Sequence, residues 1–161
     1  MIPTARLRLE ELTPDHAPRL FHGLSEQALY EFTDDEPPPS LEWLRARYER
    51  LATRRSPDGR ERWLNWAIRI DGSGEYAGYV QATLREDRTA LLGYVLFRQA
   101  QGNGYATEAV EAMLDHLAKH EGATEARASV DPANAKSIAL LDRLGFRREN
   151  GELYVRNLNR A

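Results

Sequence analysis

The sequence predicts an α+β (α/β) domain with a mixed, mostly antiparallel central sheet flanked by helices. Three observations predict it. The strand-like runs "WLNWAIRI", "YAGYVQATL" and "TALLGYVLF" follow one another across the short turns "DGSGE" and "REDR", which makes an antiparallel meander. Apolar residues at helical spacing recur on both sides of that meander. A glycine-rich stretch, "QGNG", joins the third run to a helix.

From the N-terminus, "RLRLEEL" alternates Leu7 and Leu9 with Arg8 and Glu10, as a half-buried strand does. In "TPDHAPRLFHGL", Thr13 is an N-cap and Pro14 takes the first helical position, where its missing N–H is tolerated. "TDDEPPPS" reads as a loop. Ser40 then caps a helix in which Leu41, Leu44, Tyr48 and Leu51 share a face. In the first meander run, Leu64, Trp66, Ile68 and Ile70 lie on one side, so Trp66 is expected in the core. After "QGNG", a helix carries Ala106, Ala109, Val110, Met113, Leu114 and Leu117 on one face. "EARASV" alternates with period two. "DPANAKSIALLDRLGF" is a second helix bearing Ile138, Leu141 and Leu144, and "ELYVRNL" is a closing strand. The order is β-α-α-β-β-β-α-β-α-β. His16, His22, His116 and His120 fall on no motif and read as helix-surface residues.

Composition narrows the function classes. A chain of 161 residues corresponds to a single domain, 1–161. An apolar fraction of 42% with 29% charged residues is that of a soluble globular protein. The net charge of −3 gives no reason to expect nucleic acid. Without cysteine there is no disulfide, no thiolate nucleophile and no cysteine zinc site, and no metal is expected. No apolar run approaches the ~20 residues that span a bilayer, so no membrane partner is expected. "MIPTARLRLEEL" lacks the apolar core of a signal peptide, which makes the cytoplasm the expected location.

Glycines between a strand and a helix suit an anion. A helix N-terminus leaves N–H groups unpaired and carries partial positive charge, and glycine lets an oxyanion approach them. A P-loop would require Gly-Lys-Ser/Thr, whereas the chain has Gly104-Tyr105-Ala106. A dinucleotide fingerprint would need a third glycine, but Thr107 stands there and the preceding strand belongs to a meander. On this stretch alone, a plain glycine turn remains the alternative.

A second motif widens the reading. "QGNGYA" has the form Gln-x-x-Gly-x-Ala, and "NAKSIALLDRLGF" follows with Asn-x-x-Ser and then Leu-Gly-Phe. Together they resemble the GNAT acetyltransferase superfamily. "LGYVLFRQAQGNGYATEAV" is most similar to the branch that includes ribosomal-protein N-terminal acetyltransferases. The likeness is tight over residues 89–148 and looser over 5–88, where the order of elements still agrees. The resemblance implies a splayed strand pair that forms a slot for acetyl-CoA. Gln101, Gly102, Asn103, Gly104, Tyr105 and Ala106 would offer backbone amides to the pyrophosphate. Val95, Leu96 and Phe97 would run beside the pantetheine arm, with a backbone N–H near Val95 or Leu96 polarising the thioester carbonyl. Asn134 matches an asparagine that bonds pantetheine, and it also suits a helix N-cap.

The chain departs from the superfamily at two places. Many members carry a tyrosine acid seven residues after the helix asparagine, where this chain has Leu141. Ser137 is the replacement candidate, against a serine that back-bonds or faces water. A glutamate common before the Gly-Tyr of the third meander strand is Leu91 here. Glu108 reads as a complement to the helix dipole or a structural hydrogen-bonding group. Glu31, in "LYEFTDDE", is the candidate base at the acceptor mouth, and Asp34, Asp35 and Glu36 would add a negative rim for a cationic amine, against a plain polar loop. The expected activity is direct acetyl transfer from acetyl-CoA to a primary amine, either a protein N-terminal α-amine or a small amine. The rival is a non-catalytic acyl-CoA-binding module of the same fold, and a nucleotide-binding redox module is a third class. A homodimer is among the assemblies left open.

Overall fold

Leu7 and Leu9 are fully buried and Arg8 and Glu10 are not, so the N-terminal alternation becomes a strand, β2 (Leu7–Glu11). Before it lies a two-residue strand, β1 (Ile2–Pro3). The computed structural model describes residues 1–159, and residues 160 and 161 of the expected domain lie outside the described residues. The helices are α1 (Ala17–Leu24), α2 (Leu41–Leu51), α3 (Tyr105–His120) and α4 (Ala135–Arg143). The meander is β3 (Arg62–Ile70), β4 (Tyr76–Leu84) and β5 (Thr89–Leu96), followed by β6 (Glu125–Ser129), β7 (Arg147–Asn150) and β8 (Leu153–Asn157). The eight strands form one sheet in the order β1-β2-β3-β4-β5-β6-β8-β7, antiparallel throughout except for β5 against β6.

Side-chain alternation sorts this sheet into two packed faces. Leu64, Trp66 and Ile68 of β3, with Val80, Ala82 and Leu84 of β4, join Val110, Met113, Leu114 and Leu117 of α3. On the other face, Leu20 and Leu24 of α1 and Leu44 and Tyr48 of α2 close over Ala67, with Tyr79 and Val95 packed against them. A fully buried leucine contributes about 1.5–3 kcal/mol, so the six in these two clusters that show no exposure are a large share of the fold's stability.

One expectation needs correction, and two strands were not expected. His16 is buried rather than on the surface, because a 3-10 turn, Pro14–His16, precedes α1 and tucks the ring inward. Its Nδ1 accepts the Thr13 N–H at 3.0 Å, and its Nε2 meets Glu10 Oε1 at 3.1 Å. The Tyr76 hydroxyl donates to the same Glu10 oxygen at 2.5 Å, so the buried ring has polar partners on both nitrogens. The closing strand forms as β8, and an additional strand, β7, pairs antiparallel with it. Every β7 side chain is exposed, which leaves no alternation to read. β1 is too short to show any.

The sheet opens in its middle. β5 pairs with β6 only over Thr89–Leu91 against Glu125–Arg127. Beyond that point β6 continues beside β8, while β5 runs on to Leu96 with its β6-side edge uncovered.

Candidate active site

The uncovered edge of β5 presents specific backbone groups. At one end of the β4–β5 ladder Arg85 N–H donates to Thr89 O at 3.0 Å, and at the other Phe97 N–H donates to Ala77 O at 2.7 Å. Hydrogen-bonded pairs alternate along an antiparallel ladder, so Leu91, Gly93 and Val95 also face β4. Tyr94 and Leu96 therefore turn their N–H and C=O toward the edge that β6 has left. The Leu96 carbonyl accepts Gln101 Nε2–H at 3.0 Å, which leaves the Tyr94 N–H and C=O and the Leu96 N–H. Val95 and Phe97 give their N–H groups to β4. At the tip of this segment Gly78 sits at φ 147°, and a Cβ there would lie 2.0 Å from the Val95 carbonyl oxygen. Only glycine allows that approach.

The glycine loop supplies the anion groups. Gly102 and Gly104 have φ of 85° and 79°, a region that favours glycine. Gly104 is the N-cap of α3, and among the described residues no side chain caps that helix. The N–H groups of residues 102–107 have no acceptor among the described residues, whereas the Gln101 N–H donates to Arg98 O at 3.2 Å. Asn103 Nδ2 donates to the carbonyls of Ala100 and Gln101 at 3.2 and 3.3 Å, which fixes the loop's shape.

Three cations that sequence reasoning passed over surround the loop. Lys136 Nζ donates to Gln101 Oε1 at 3.4 Å, and Arg143 Nη2 donates to Thr107 Oγ1 at 3.3 Å. The Arg6 guanidinium lies 4.6 Å from the centre of the Tyr105 ring. Lys136 stands inside the "NAKS" motif and was open to detection there. Arg6 is 102 positions from its helix partner Glu108, and nothing local marks it. Glu108 is a clasp. It accepts from Thr4 Oγ1 at 2.5 Å, from Arg6 N–H at 2.9 Å and from Arg6 Nε at 2.8 Å. Partial burial pushes its carboxyl up, but these hydrogen bonds and the Arg6 charge together hold it below the usual carboxylate range.

The start of α4 faces the open edge. Asn134 is the N-cap, and its Oδ1 accepts the Ser137 N–H at 3.2 Å. Its Nδ2 has no partner among the described residues, so one side chain caps the helix and keeps a free donor. Ser137 Oγ meets the hydroxyl of Tyr94, a residue the sequence reading did not single out. Burial pushes the Tyr94 phenol up, and the Ser137 hydrogen bond works against that. Leu141 is fully buried in the core and does not face the slot.

Glu31 is less engaged. It is exposed just after the short turn Gln27–Tyr30, with no side-chain hydrogen bond or ion pair among the described residues. The loop's charge still reaches the sheet. Burial first, then the Asp35 charge and the Tyr30 phenol, push Tyr79 up to about 12. Tyr30 is raised by burial and by Asp35 in the same way, and its hydroxyl donates to Leu24 O at 2.6 Å. Asp34, Asp35 and Glu36 are exposed.

A slot beside a half-paired strand, an uncapped glycine-led helix and an asparagine-capped helix opposite it thus lie together in this fold. The acetyltransferase (GNAT) domain profile matches residues 6–147. The chain belongs to the GNAT acetyltransferase family. A curated relative, "Uncharacterized N-acetyltransferase p20" of Bacillus licheniformis, is 37% identical over 65 residues, which are 40% of this chain and 36% of that protein. A second, "Uncharacterized protein YkkB" of Bacillus subtilis, is 30% identical over 84 residues, 50% of this chain and 49% of its own length. The chain thus spans between about a third and a half of these curated relatives. Among solved structures, the RimL ribosomal L7/L12 α-N-protein acetyltransferase in complex with coenzyme A superposes with a TM-score of 0.82 at 21% identity, covering 97% of both chains. Spermidine N-acetyltransferase of Vibrio cholerae, with CoA and spermine, gives 0.77 at 18% identity over 95% of this chain and 94% of its own. These likenesses establish the fold. Among the described residues of this GNAT chain, no group of three metal-ligating side chains gathers, and no helix is long and apolar enough to cross a membrane.

Proposed function

We propose that residues 1–161 form one cytoplasmic acetyltransferase domain that moves acetyl from acetyl-CoA directly to a primary amine. The observation that carries this is the pairing of two unsatisfied backbone surfaces: the free N–H groups of 102–107 and the uncovered edge at Tyr94 and Leu96. The first fits a pyrophosphate, with Lys136, Arg143 and Arg6 adding charge. The second fits the amide-bearing pantetheine arm, which would complete the ladder that β6 abandons. Asn134 Nδ2 is a further donor for that arm.

The chemistry follows from these positions. The Leu96 or Tyr94 N–H stabilises charge on the thioester oxygen as nitrogen attacks, and one such donor is worth about 3–4 kcal/mol in transition-state terms. Ser137 supplies a proton to the departing sulfur. A thiol has an ordinary pKa of ~8.5, so that help is modest and positioning carries much of the rate. Glu31 is the proposed base, acting directly or through water from the acidic rim. The acceptor is a protein N-terminal α-amine or a small amine, and both kinds occur among acceptors named for structural neighbours.

The test is a panel of amines with acetyl-CoA, read as free CoA released. It should contain short peptides with free N-termini, spermidine and single amino acids. Sustained release with at least one amine is expected. Tight acetyl-CoA binding without release for any amine would reassign the chain to a non-catalytic acyl-CoA-binding module.

A further inference from the structure

We infer that Tyr94 and Ser137 act as one proton-donating pair, in which Tyr94 positions the Ser137 hydroxyl for the departing sulfur. The inference rests on the acetyltransferase reading above. Tyr94 comes from the middle of the uncovered segment of β5, and Ser137 from the first turn of α4. Their hydroxyls meet across the slot, 43 positions apart in sequence. Whatever runs along the open edge toward Asn134 passes this bridge.

The direction of the hydrogen bond follows from acidity. A phenol, ordinarily near pKa 10, is a far stronger acid than an alkyl alcohol, so it is the better donor and the alkyl oxygen the better acceptor. With Tyr94 donating, Ser137 keeps its own O–H free. That O–H does not back-bond to the carbonyl a turn earlier, as helix serines often do, and no other acceptor among the described residues engages it. Its backbone N–H is held by Asn134 Oδ1, which fixes where the hydroxyl stands. Burial keeps the Tyr94 phenol in its neutral, donating form.

The proton path balances. As the nitrogen–carbon bond forms and the carbon–sulfur bond breaks, the bonding pair passes to sulfur. Sulfur takes the Ser137 hydrogen, and Ser137 Oγ takes the hydrogen of Tyr94. The phenolate is restored by the proton that the amine nitrogen releases, carried by water. Tyr94 is thus a positioning residue that works through Ser137. It supplies from a strand the hydroxyl that Leu141, buried in the core, does not supply from the helix.

The experiment compares wild type, Tyr94→Phe, Ser137→Ala and the double variant at saturating amine and acetyl-CoA. Ser137→Ala should lose about 10- to 100-fold in turnover, the range of a modest general acid. Tyr94→Phe should lose about 2- to 10-fold, the rate equivalent of one neutral hydrogen bond. The double variant should be no slower than Ser137→Ala, and Ser137→Thr, which keeps a hydroxyl, should recover most of the loss. Calorimetric affinity for acetyl-CoA should change little in all of them. In the ligand-free protein, the ring ¹³Cζ resonance of Tyr94 should move in Ser137→Ala. Full turnover in Tyr94→Phe, losses that multiply in the double variant, or an unmoved resonance would each overturn the pair while leaving an active wild type intact. A wild type that releases no CoA with any amine would overturn the acetyltransferase reading, and the pair with it.

Discussion

The starts of α3 and α4 face the same physical problem and meet it differently. Each first turn leaves N–H groups without an intrahelical acceptor. At α4, Asn134 turns its own oxygen onto the Ser137 N–H. At α2, Ser40 does the same for Trp43 at 3.0 Å. At α3 no side chain does so, and the cap is a left-handed glycine with open N–H groups on either side. A chain that caps two helices by ordinary means leaves a third bare where three cations gather. The difference separates the two starts: α3 leaves its first N–H groups open, which is where the proposed reading puts the pyrophosphate, and α4 caps itself with one donor to spare.

The largest effect should come from closing the bare cap. Gly104→Val places a β-branched residue at φ 79° and brings its Cβ to 3.4 Å from the Arg6 guanidinium, beside the free N–H groups. Acetyl-CoA affinity should fall by about 100-fold or more, several hydrogen bonds' worth, with a stability loss of about 1–2 kcal/mol for the left-handed backbone. Unchanged affinity in a folded variant would remove the loop from the site and break the comparison.

The next test separates the two side-chain caps. Asn134→Ala and Ser40→Ala should each lower stability by about 1 kcal/mol, the ordinary value of an N-cap. Only Asn134→Ala should raise the Michaelis constant for acetyl-CoA, by about 2- to 10-fold, because Asn134 keeps an Nδ2 donor that the proposed reading gives to the pantetheine arm. Equal shifts for both variants, or none for either, would reduce Asn134 to a structural cap.

A smaller effect should follow from the cations. Lys136→Ala and Arg143→Ala should each weaken acetyl-CoA binding about 2- to 5-fold at low salt, with the difference shrinking near 1 M, where the screening length falls to about 3 Å. A loss that does not respond to salt would mean that these residues hold the loop's shape rather than attract charge.

The same comparison marks what the sequence could disclose. Period and spacing are local, so the meander, α2, α3 and α4 were legible, as were the Ser40 and Asn134 caps. The two motifs, read together, led to the slot. What stayed hidden depends on contacts between distant positions. Tyr94 reads as one more strand residue until α4 brings Ser137 to it. Arg6 reads as a surface alternation partner of Leu7 until Glu108 engages it. His16 looked like a surface position because the turn that buries it has the same composition as a helix start. β7 shows no pattern because all of its side chains are wet. Glu31, named from the resemblance alone, stands among the described residues without the hydrogen bonds that would mark it in the fold.

The smallest expected effect concerns how the bare cap is held in place. Glu108 ties the first turn of α3 to Thr4 and Arg6, and Arg6 in turn covers Tyr105. Its carboxyl is held below the ordinary folded-or-unfolded reference of 4.5, so the native state favours the ionised form. A depressed carboxyl contributes stability that is fully present above the unfolded value and is lost as pH falls through the lower folded value. Glu108→Gln should therefore be less stable than wild type at pH 7, and the gap should narrow only as pH drops below about 4.5, the unfolded reference. Because Glu108 itself stands behind Arg6 and acts on the loop only indirectly, acetyl-CoA affinity at pH 7 should change by no more than about 2-fold, within the range of an indirect contact. The measurement is denaturant unfolding of both proteins from pH 3 to 7, with calorimetry at pH 7. A stability gap that is constant across this range would show that the glutamate's charge does not hold the clasp. A tenfold loss of affinity would instead show that Glu108 governs the ligand through Arg6, and the start of α3 would then depend on the N-terminal segment for its binding.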